Sequence, residues 1–268
     1  MQIIKKILNK LKLASEISSL GANLSSKLSL FFYIFWIPVK RRIGMGNQIK
    51  SELRLKKFNK TFFFYLTDNS DLTILKEIFV DDEYNFDLPY SPKIIFDLGS
   101  NVGLSVIYFR LKYPNAKIYA FEPDPEAFKK LKKNIKQFNN IFIFNLAVSD
   151  KNGKEKFYIY PNQSMSSSLL QRLPNQPVVE VETKTLDSIL DELSINKVDL
   201  LKFDIEGAEY DVFKNFKNLD KINNVIGEVH LDLIKASKEE FLNIFNKFSI
   251  NLRQISSKRY LIKASKND

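Results

Sequence analysis

The 268-residue chain has no cysteine and a single histidine, His230. Disulfides, thiol nucleophiles and zinc sites built from several Cys or His ligands are thereby excluded, whereas a magnesium or calcium ion held by carboxylates is not. A cysteine-free chain suits a reducing compartment, so a cytoplasmic location is the expectation. The apolar run at residues 28–39, "LSLFFYIFWIPV", falls short of the roughly 20 residues that cross a bilayer. It begins too late for a signal peptide, and no small-residue cleavage pattern follows it. There is no internal repeat and no low-complexity linker. With 44% hydrophobic and 27% charged residues, the composition is that of a folded protein with one main domain.

Charge is unevenly spread. Residues 1–45 carry eight Lys or Arg against one acid, Glu16, a net +7 of the total +10. The remaining body is close to neutral, which disfavours a nucleic-acid partner, since such a domain normally carries the basic patch itself. Ile3, Ile4, Ile7, Leu8 and Leu11 recur at helical spacing with Lys5, Lys6, Lys10 and Lys12 between them, the pattern of a basic amphipathic helix. Two readings of residues 1–45 stand side by side. The helices pack on the body or on a second subunit of a homo-oligomer, or Phe31, Phe32, Tyr33, Phe35 and Trp36 dip into the inner face of a membrane while the lysines meet anionic headgroups.

The chain divides into an N-terminal segment (1–50), a lead-in (51–88) and a main domain (89–268). The lead-in reads as a strand "TFFFYL", a capped turn "DNSD" and a helix "LTILKEIF". From Pro92 onward strands and helices alternate. Strands are expected at 93–98, 116–121, 141–147, 156–160, 178–184, 198–203 and 224–229, and helices at 102–112, 125–138, 186–193, from the "DIEGAE" turn to 216, and 238–248. A hairpin of 250–256 with 258–263 closes the chain. This order implies an open α/β sheet, mostly parallel, with an antiparallel element at its end.

In such sheets ligands bind beyond the carboxyl ends of the strands. Asp97, Glu122, Asp204 and Glu228 all fall there. In "IIFDLGSNVGLS", Gly99 permits the sharp turn after the first strand and Gly103 permits close approach of the next helix. A dinucleotide site spells G-x-G-x-x-G and admits a pyrophosphate. Here the glycines are four apart and Asp97 stands before them, an acid that repels phosphate and suits an ammonium group or a network of hydrogen bonds. Glu122 in "FEP" lies at the distance where an acid bonds the two ribose hydroxyls. A ribose without adjacent phosphates that carries a positive group is S-adenosyl-L-methionine.

The stretches "DLGSNVGLS", "YAFEPDPEAF", "NLAVSDKNGKEKFYI", "SSSL", "TLDSIL" and "DLLKFDIEGAEYDVFKN" resemble, in order and spacing, the FkbM-type S-adenosylmethionine-dependent methyltransferases over about residues 60–232. The resemblance implies a class I (Rossmann-like) methyltransferase fold with a seven-stranded, mostly parallel sheet, an antiparallel terminal hairpin and, here, an N-terminal helical extension. It also implies O-methylation of a sugar, glycan, glycolipid or other small molecule. Carried onto this sequence, Asp97, Gly99, Ser100, Asn101 and Gly103 form the first cofactor loop. Glu122 and Pro123 lie at the ribose, and the backbone at Ala147 lies near the adenine.

A sugar hydroxyl is a poor nucleophile, so a base helps. Asp204, Glu228 and His230 are the catalytic candidates, with Asp204 placed at the methionine end of the cofactor. Glu209 is read as an acid favouring a helix N-terminus. Lys202, inside a buried strand, must pair with a carboxylate or reach the site. A divalent ion on Asp204 and Glu228 is an alternative that is not expected. The stretch 164–169 either lines the acceptor pocket or forms a loop. An inactive module of the same fold and an NAD-dependent sugar-modifying enzyme are the competing functions.

Overall fold

The computed structural model describes residues 2–43, 51–160 and 166–267. The expected alternation is present. Seven strands form one sheet: β3 (Ile94–Leu98), β4 (Lys117–Phe121), β5 (Ile141–Phe144), β9 (Leu200–Phe203), β10 (Asn224–His230), β11 (Phe248–Ser256) and β12 (Arg259–Lys266). Their order is β11-β12-β10-β9-β3-β4-β5. Pairing is parallel from β10 through β9, β3 and β4 to β5, and β12 runs antiparallel to both β10 and β11. Strand order reverses between β3 and β9, so the carboxyl ends of these two strands open the crevice in which an α/β sheet binds its ligand.

The central strands are buried on both faces, as parallel strands covered by helices must be. Ile95, Phe96, Leu98, Leu200, Leu201 and Phe203 are all inaccessible or nearly so. Helix α4 (Leu104–Lys112) follows β3 and is buried along almost its whole length. Helix α5 (Pro125–Ile135) opens with Asp124 as its cap, its carboxylate accepting from the Glu126 and Ala127 amides, and with Pro125 in the first turn. Helices α6 (Leu186–Glu192), α7 (Glu209–Lys214) and α8 (Lys238–Ile244) cover the second face around Phe203, Phe213, Phe241 and Phe245.

Three elements differ from the sequence expectation. The third strand ends at Phe144, because the Asn145 side chain turns back to donate to the Glu122 and Pro123 carbonyls. Residues Ala147–Val148 then start a separate three-stranded sheet as β6, with β7 (Gly153–Tyr158) and β8 (Val178–Lys184) in the order β6-β8-β7. The lead-in is a hairpin of β1 (Ser51–Lys57) and β2 (Lys60–Leu66), of which only β2 was foreseen. The lead-in helix is α3 (Asn69–Leu75) followed by a π-helical turn, Lys76–Val80.

The N-terminal segment forms α1 (Gln2–Ser18) and α2 (Leu24–Arg42). Ala14, Ile17, Leu20, Leu30, Ile34 and Ile37 are buried in a core shared with the hairpin and with the α4 face of the sheet. The corner between the two helices adds to the edge of β1, with the Ala22 amide on the Arg54 carbonyl at 2.8 Å and the Lys56 amide on the Leu20 carbonyl at 2.8 Å. The free edge of β2 is closed by side-chain amides from the end of α5 and from Gln137, two residues beyond it. Gln137 exchanges two hydrogen bonds with the Phe63 backbone. Asn134 accepts from the Tyr65 amide and donates to the Val102 carbonyl in the β3–α4 loop.

Candidate active site

Beyond the carboxyl ends of β3, β4, β9 and β10 lies one continuous pocket. Gly99, Ser100, Asn101, Glu122, Pro123 and Ala147 line one end of it, and Asp204, Glu206, Glu228 and Arg259 line the other. Gly103 stands at the N-cap of α4 in a left-handed conformation (φ 93°), where a Cβ would meet Leu131 at 2.7 Å. Gly99, also left-handed at φ 76°, passes so close to the next loop that a Cβ would sit 1.9 Å from the Asp204 carbonyl oxygen. The glycine is therefore required by the meeting of the two loops as much as by the turn.

Asp97, expected to meet an ammonium or a network of hydrogen bonds, is fully buried and lies behind the pocket wall. Its Oδ1 lies 3.0 Å from Lys202 Nζ, and its Oδ2 accepts from Ser105 Oγ at 2.6 Å. The ammonium that the sequence demanded is supplied from within, by the lysine of β9. Lys202 also donates to the Gly99 carbonyl at 2.7 Å, so both of its expected alternatives are realised: a buried pair and a contact with the loop.

Glu122 lies on the pocket wall with its carboxylate held by two backbone amides, Asn101 at 2.7 Å and Asp124 at 2.8 Å. Burial pushes its carboxyl up to about 8 against the pull of those amides. Asn101 is left-handed (φ 46°), and its side-chain Oδ1 is buried without a hydrogen-bond partner. Ala147, Val148, Phe157 and Leu169 form an apolar wall contributed largely by the small sheet. Ser167 lines the pocket too, so the described part of the 164–169 stretch reaches the site, while residues 161–165 lie outside the described residues.

At the other end, His230 is fully buried at the end of β10 and is not on the wall. Three wall carboxylates stand at its Nε2: Glu228 Oε1 at 3.6 Å, Glu206 Oε2 at 3.7 Å and Asp204 Oδ1 at 3.9 Å. None is within hydrogen-bonding distance, and both His230 Nε2 and Asp204 Oδ1 are buried without a partner. His230 Nδ1 lies 2.8 Å from Glu209 Oε1, and the same carboxylate accepts from the Gly207 amide through both oxygens. Glu209 is thus the residue that orients the histidine, beyond favouring a helix terminus.

Burial alone would lower the His230 imidazole, but Glu209, Glu206 and Asp204 together push it up to about 10. Burial and the charge of Asp204 raise the Glu228 carboxyl to about 8. Burial likewise raises Glu206, which is gripped by Arg172 through its carboxylate and its carbonyl, both at 2.8 Å. That grip holds Glu206 in a left-handed conformation (φ 51°) directly before Gly207, a strain of the kind concentrated at functional sites.

Sequence reasoning missed Arg172, Arg259 and the wall supplied by the lead-in, where Ile74, Glu77, Ile78, Glu83 and Tyr84 close the pocket. Only the buried side of the lead-in's helical pattern hinted that this segment faces anything. Burial, with the charges of Glu83 and Asp204, pushes the Glu77 carboxyl up to about 7. The wall as a whole carries Glu77, Glu83, Glu122, Asp204, Glu206 and Glu228 against Lys202 and Arg259, a lining that disfavours a pyrophosphate and in which a bound cation would draw the raised Glu77, Glu122 and Glu228 carboxyls toward ionisation.

The family profile described as "Methyltransferase FkbM domain" matches residues 97–255, from the Asp97 loop to the last strand pair. The chain belongs to the FkbM methyltransferase family. The chain is also similar to named methyltransferases. Methyltransferase sdnD of Sordaria araneosa is 30% identical over 190 residues, 58% of this chain and 73% of that one. The 31-O-demethyl-FK506 methyltransferase FkbM of Streptomyces tacrolimicus is 26% identical over 191 residues, 59% and 74% of the two chains. The hexuronic acid methyltransferase AglP of Haloferax volcanii is 27% identical over 139 residues, 51% and 56%. The protein is a methyltransferase, and its seven-stranded sheet with one antiparallel strand is the class I methyltransferase architecture. Helices α1 and α2 and the hairpin lie outside the FkbM match.

Proposed function

We propose that this methyltransferase moves a methyl group from S-adenosyl-L-methionine to a hydroxyl oxygen of a sugar, glycan or glycolipid. The observation that carries the reading is a single pocket lined by the Gly99–Asn101 loop and Glu122 at one end and by an unpartnered carboxylate, Asp204, at the other. S-adenosylmethionine, when bound, supplies an electrophilic methyl group on a sulfonium. The residues fit it. Gly99 lets the first loop pass close against the Asp204 loop, Glu122 offers a carboxylate at the ribose position, and Ala147, Val148, Phe157 and Leu169 offer an apolar wall to the adenine. The orphaned Asn101 Oδ1 is a free acceptor at the same end, and the surplus of acids suits a positive ligand.

At the far end Asp204, partly exposed to the pocket, is the group that takes the hydroxyl proton, and Glu228 stands beside it. Holding the two reactants in line accounts for most of such a rate enhancement, about 7 to 11 kcal/mol where alignment is good. The relatives named for 31-O-demethyl-FK506 and hexuronic acid support a hydroxyl-bearing small molecule or sugar as acceptor. Incubation with methyl-labelled S-adenosylmethionine and fractionated glycans and glycolipids, followed by mass spectrometry, tests the reading. Label in a carbohydrate fraction is the expected result, and binding of the cofactor with no transfer to any hydroxyl compound would count against it.

The N-terminal helices point to where that acceptor is met. Leu24, Leu28, Phe32, Trp36, Val39 and Ile43 form an exposed apolar stripe on the face of α2, extended by Ile43, opposite to the buried Leu30 and Ile34. On α1, Ile4, Ile7, Leu8 and Leu11 are exposed beside Lys5, Lys6 and Lys12. No helix among the described residues is long and apolar enough to cross a membrane. An exposed apolar stripe edged by lysines matches peripheral contact with an anionic bilayer from the cytoplasmic side. Deleting the segment would uncover core residues, so the test is Phe32→Ser with Trp36→Ser in the full chain. Flotation with phosphatidylserine vesicles should be lost, and a stripe that instead pairs two copies would show as a dimer that these substitutions dissociate.

A further inference from the structure

We propose that Asp204, Glu228 and His230 form a binding site for a divalent cation of the manganese class at the acceptor end of the pocket. The proposal deepens the methyltransferase reading and rests on it for the ion's role, though not for the ion's binding. One ligand atom from each of the three residues lies within 4.8 Å of the others. The groups arrive from separate chain positions, Asp204 just past β9 and the other two at the end of β10, so their convergence belongs to the sheet topology.

The decisive observation is the imidazole. His230 is fully buried, and its Nδ1 is engaged by Glu209. That bond fixes the ring and leaves Nε2 aimed at the carboxylates, yet Nε2 has no hydrogen-bond partner, and neither has Asp204 Oδ1 opposite it. If the ring merely neutralised the cluster as an imidazolium, its N–H would be drawn to about 2.9 Å from one oxygen. The observed separations are 3.6 Å to Glu228 and 3.9 Å to Asp204. Two ligands of one ion, each bonded at about 2.1 Å, can stand up to about 4.2 Å apart. Both histidine–carboxylate gaps are too wide for hydrogen bonds and fall within the span that one ion bridges.

A carboxylate bound to the far nitrogen of a ligating histidine is the usual second support of such a site, and Glu209, itself anchored on the Gly207 amide, occupies that position. Glu206 is already committed to Arg172 and is a neighbour rather than a ligand. One imidazole with two carboxylates, the remaining positions open to water or substrate, is a mixed nitrogen and oxygen set that a first-row divalent ion such as manganese or iron accepts more readily than calcium or magnesium, which take all-oxygen sets. Asp204 and Glu228 are both partly exposed to the pocket, so an acceptor hydroxyl can reach the ion, which would lower that hydroxyl's pKa.

The test titrates Mn2+ into the chelator-stripped full chain, read by loss of the free-ion paramagnetic resonance signal and by calorimetry, with S-adenosylmethionine binding measured on the same preparation. One Mn2+ per chain is expected, bound more tightly than Mg2+. Glu228→Gln should abolish the binding, and Glu209→Gln, acting only as a positioning residue, should weaken it about 10- to 100-fold. Both variants should keep cofactor binding, which also shows that they are folded. Asp211→Asn, an exposed acid on the same short helix paired with Lys214, should change nothing. A protein that binds S-adenosylmethionine but not Mn2+, or binds Mn2+ equally after both substitutions, overturns the metal site and leaves the transferase reading intact. Binding of Mn2+ without S-adenosylmethionine would uphold the site and remove that reading.

Discussion

The two ends of the pocket handle buried charge in opposite ways. At the donor end Asp97 is matched by Lys202 and Ser105, and Glu122 by two backbone amides. At the acceptor end Asp204, Glu206, Glu209 and Glu228 surround one histidine, and an imidazole nitrogen and a carboxylate oxygen are left without partners. A buried polar group without a partner costs on the order of 1 to 3 kcal/mol. Charge at the donor end is thus balanced by the fold itself, with the neutral Asn101 Oδ1 left for a ligand, whereas at the acceptor end an imidazole nitrogen and a carboxylate oxygen are left for what binds there. The difference teaches where to look for scaffold and where to look for chemistry: charge that the protein balances internally positions the site, and charge that it leaves unbalanced acts on a ligand.

The largest effect should come from breaking the internal balance. Lys202→Met strands Asp97 in a place inaccessible to water and should cost about 3 to 5 kcal/mol of stability in urea denaturation. The double variant Lys202→Met with Asp97→Leu should recover most of that loss, because an apolar pair can replace a buried ion pair at little cost. If the double variant were no better than the single one, the pair would be holding the loop through the Lys202 contact to Gly99 instead.

An effect spread over pH separates Glu122 from its surroundings. Its carboxyl is raised from 4.5 to about 8 in the folded chain. The proton bound there contributes stability that is fully present below about pH 4.5 and is lost as the pH rises through about 8. Glu122→Gln removes this dependence. Thermal melts at constant ionic strength should therefore show the wild type losing stability relative to the variant between those limits, and parallel curves would contradict it. The smallest effect is expected where charge is fully solvated. Lys154→Ala breaks the exposed pair with Glu180 on the small sheet and should leave the melting midpoint and turnover unchanged.

The donor end was legible in sequence because it is local. The turn "DLGSN", the acid in "FEP" and the cap "DPE" each lie within a few residues and dictate their own conformation. Even there the partner of Asp97 was out of reach, since it comes from a strand two motifs later and is brought alongside only by the β3–β9 pairing. The acceptor end draws on Arg172, Glu206, Glu209, Glu228, His230 and Arg259, which no local pattern joins. Glu209 read as a helix-terminus acid because the sequence shows what precedes it and not that His230 packs against it. The sheet was readable from its apolar strands. The β1 strand was not, since "SELRLKK" alternates with lysines and arginine and buries only Leu53 and Leu55. The hairpin is a strand pair because α5, the α1–α2 corner and the core accept it.

The most direct test of this division of labour is the calorimetric affinity of Asp204→Asn for S-adenosylmethionine, set against the wild type. If the donor end is complete without the acceptor end, the dissociation constant should stay within about threefold, less than 1 kcal/mol, in a variant that no longer turns over. Loss of cofactor binding together with turnover would contradict the account, because it would make the two ends a single site.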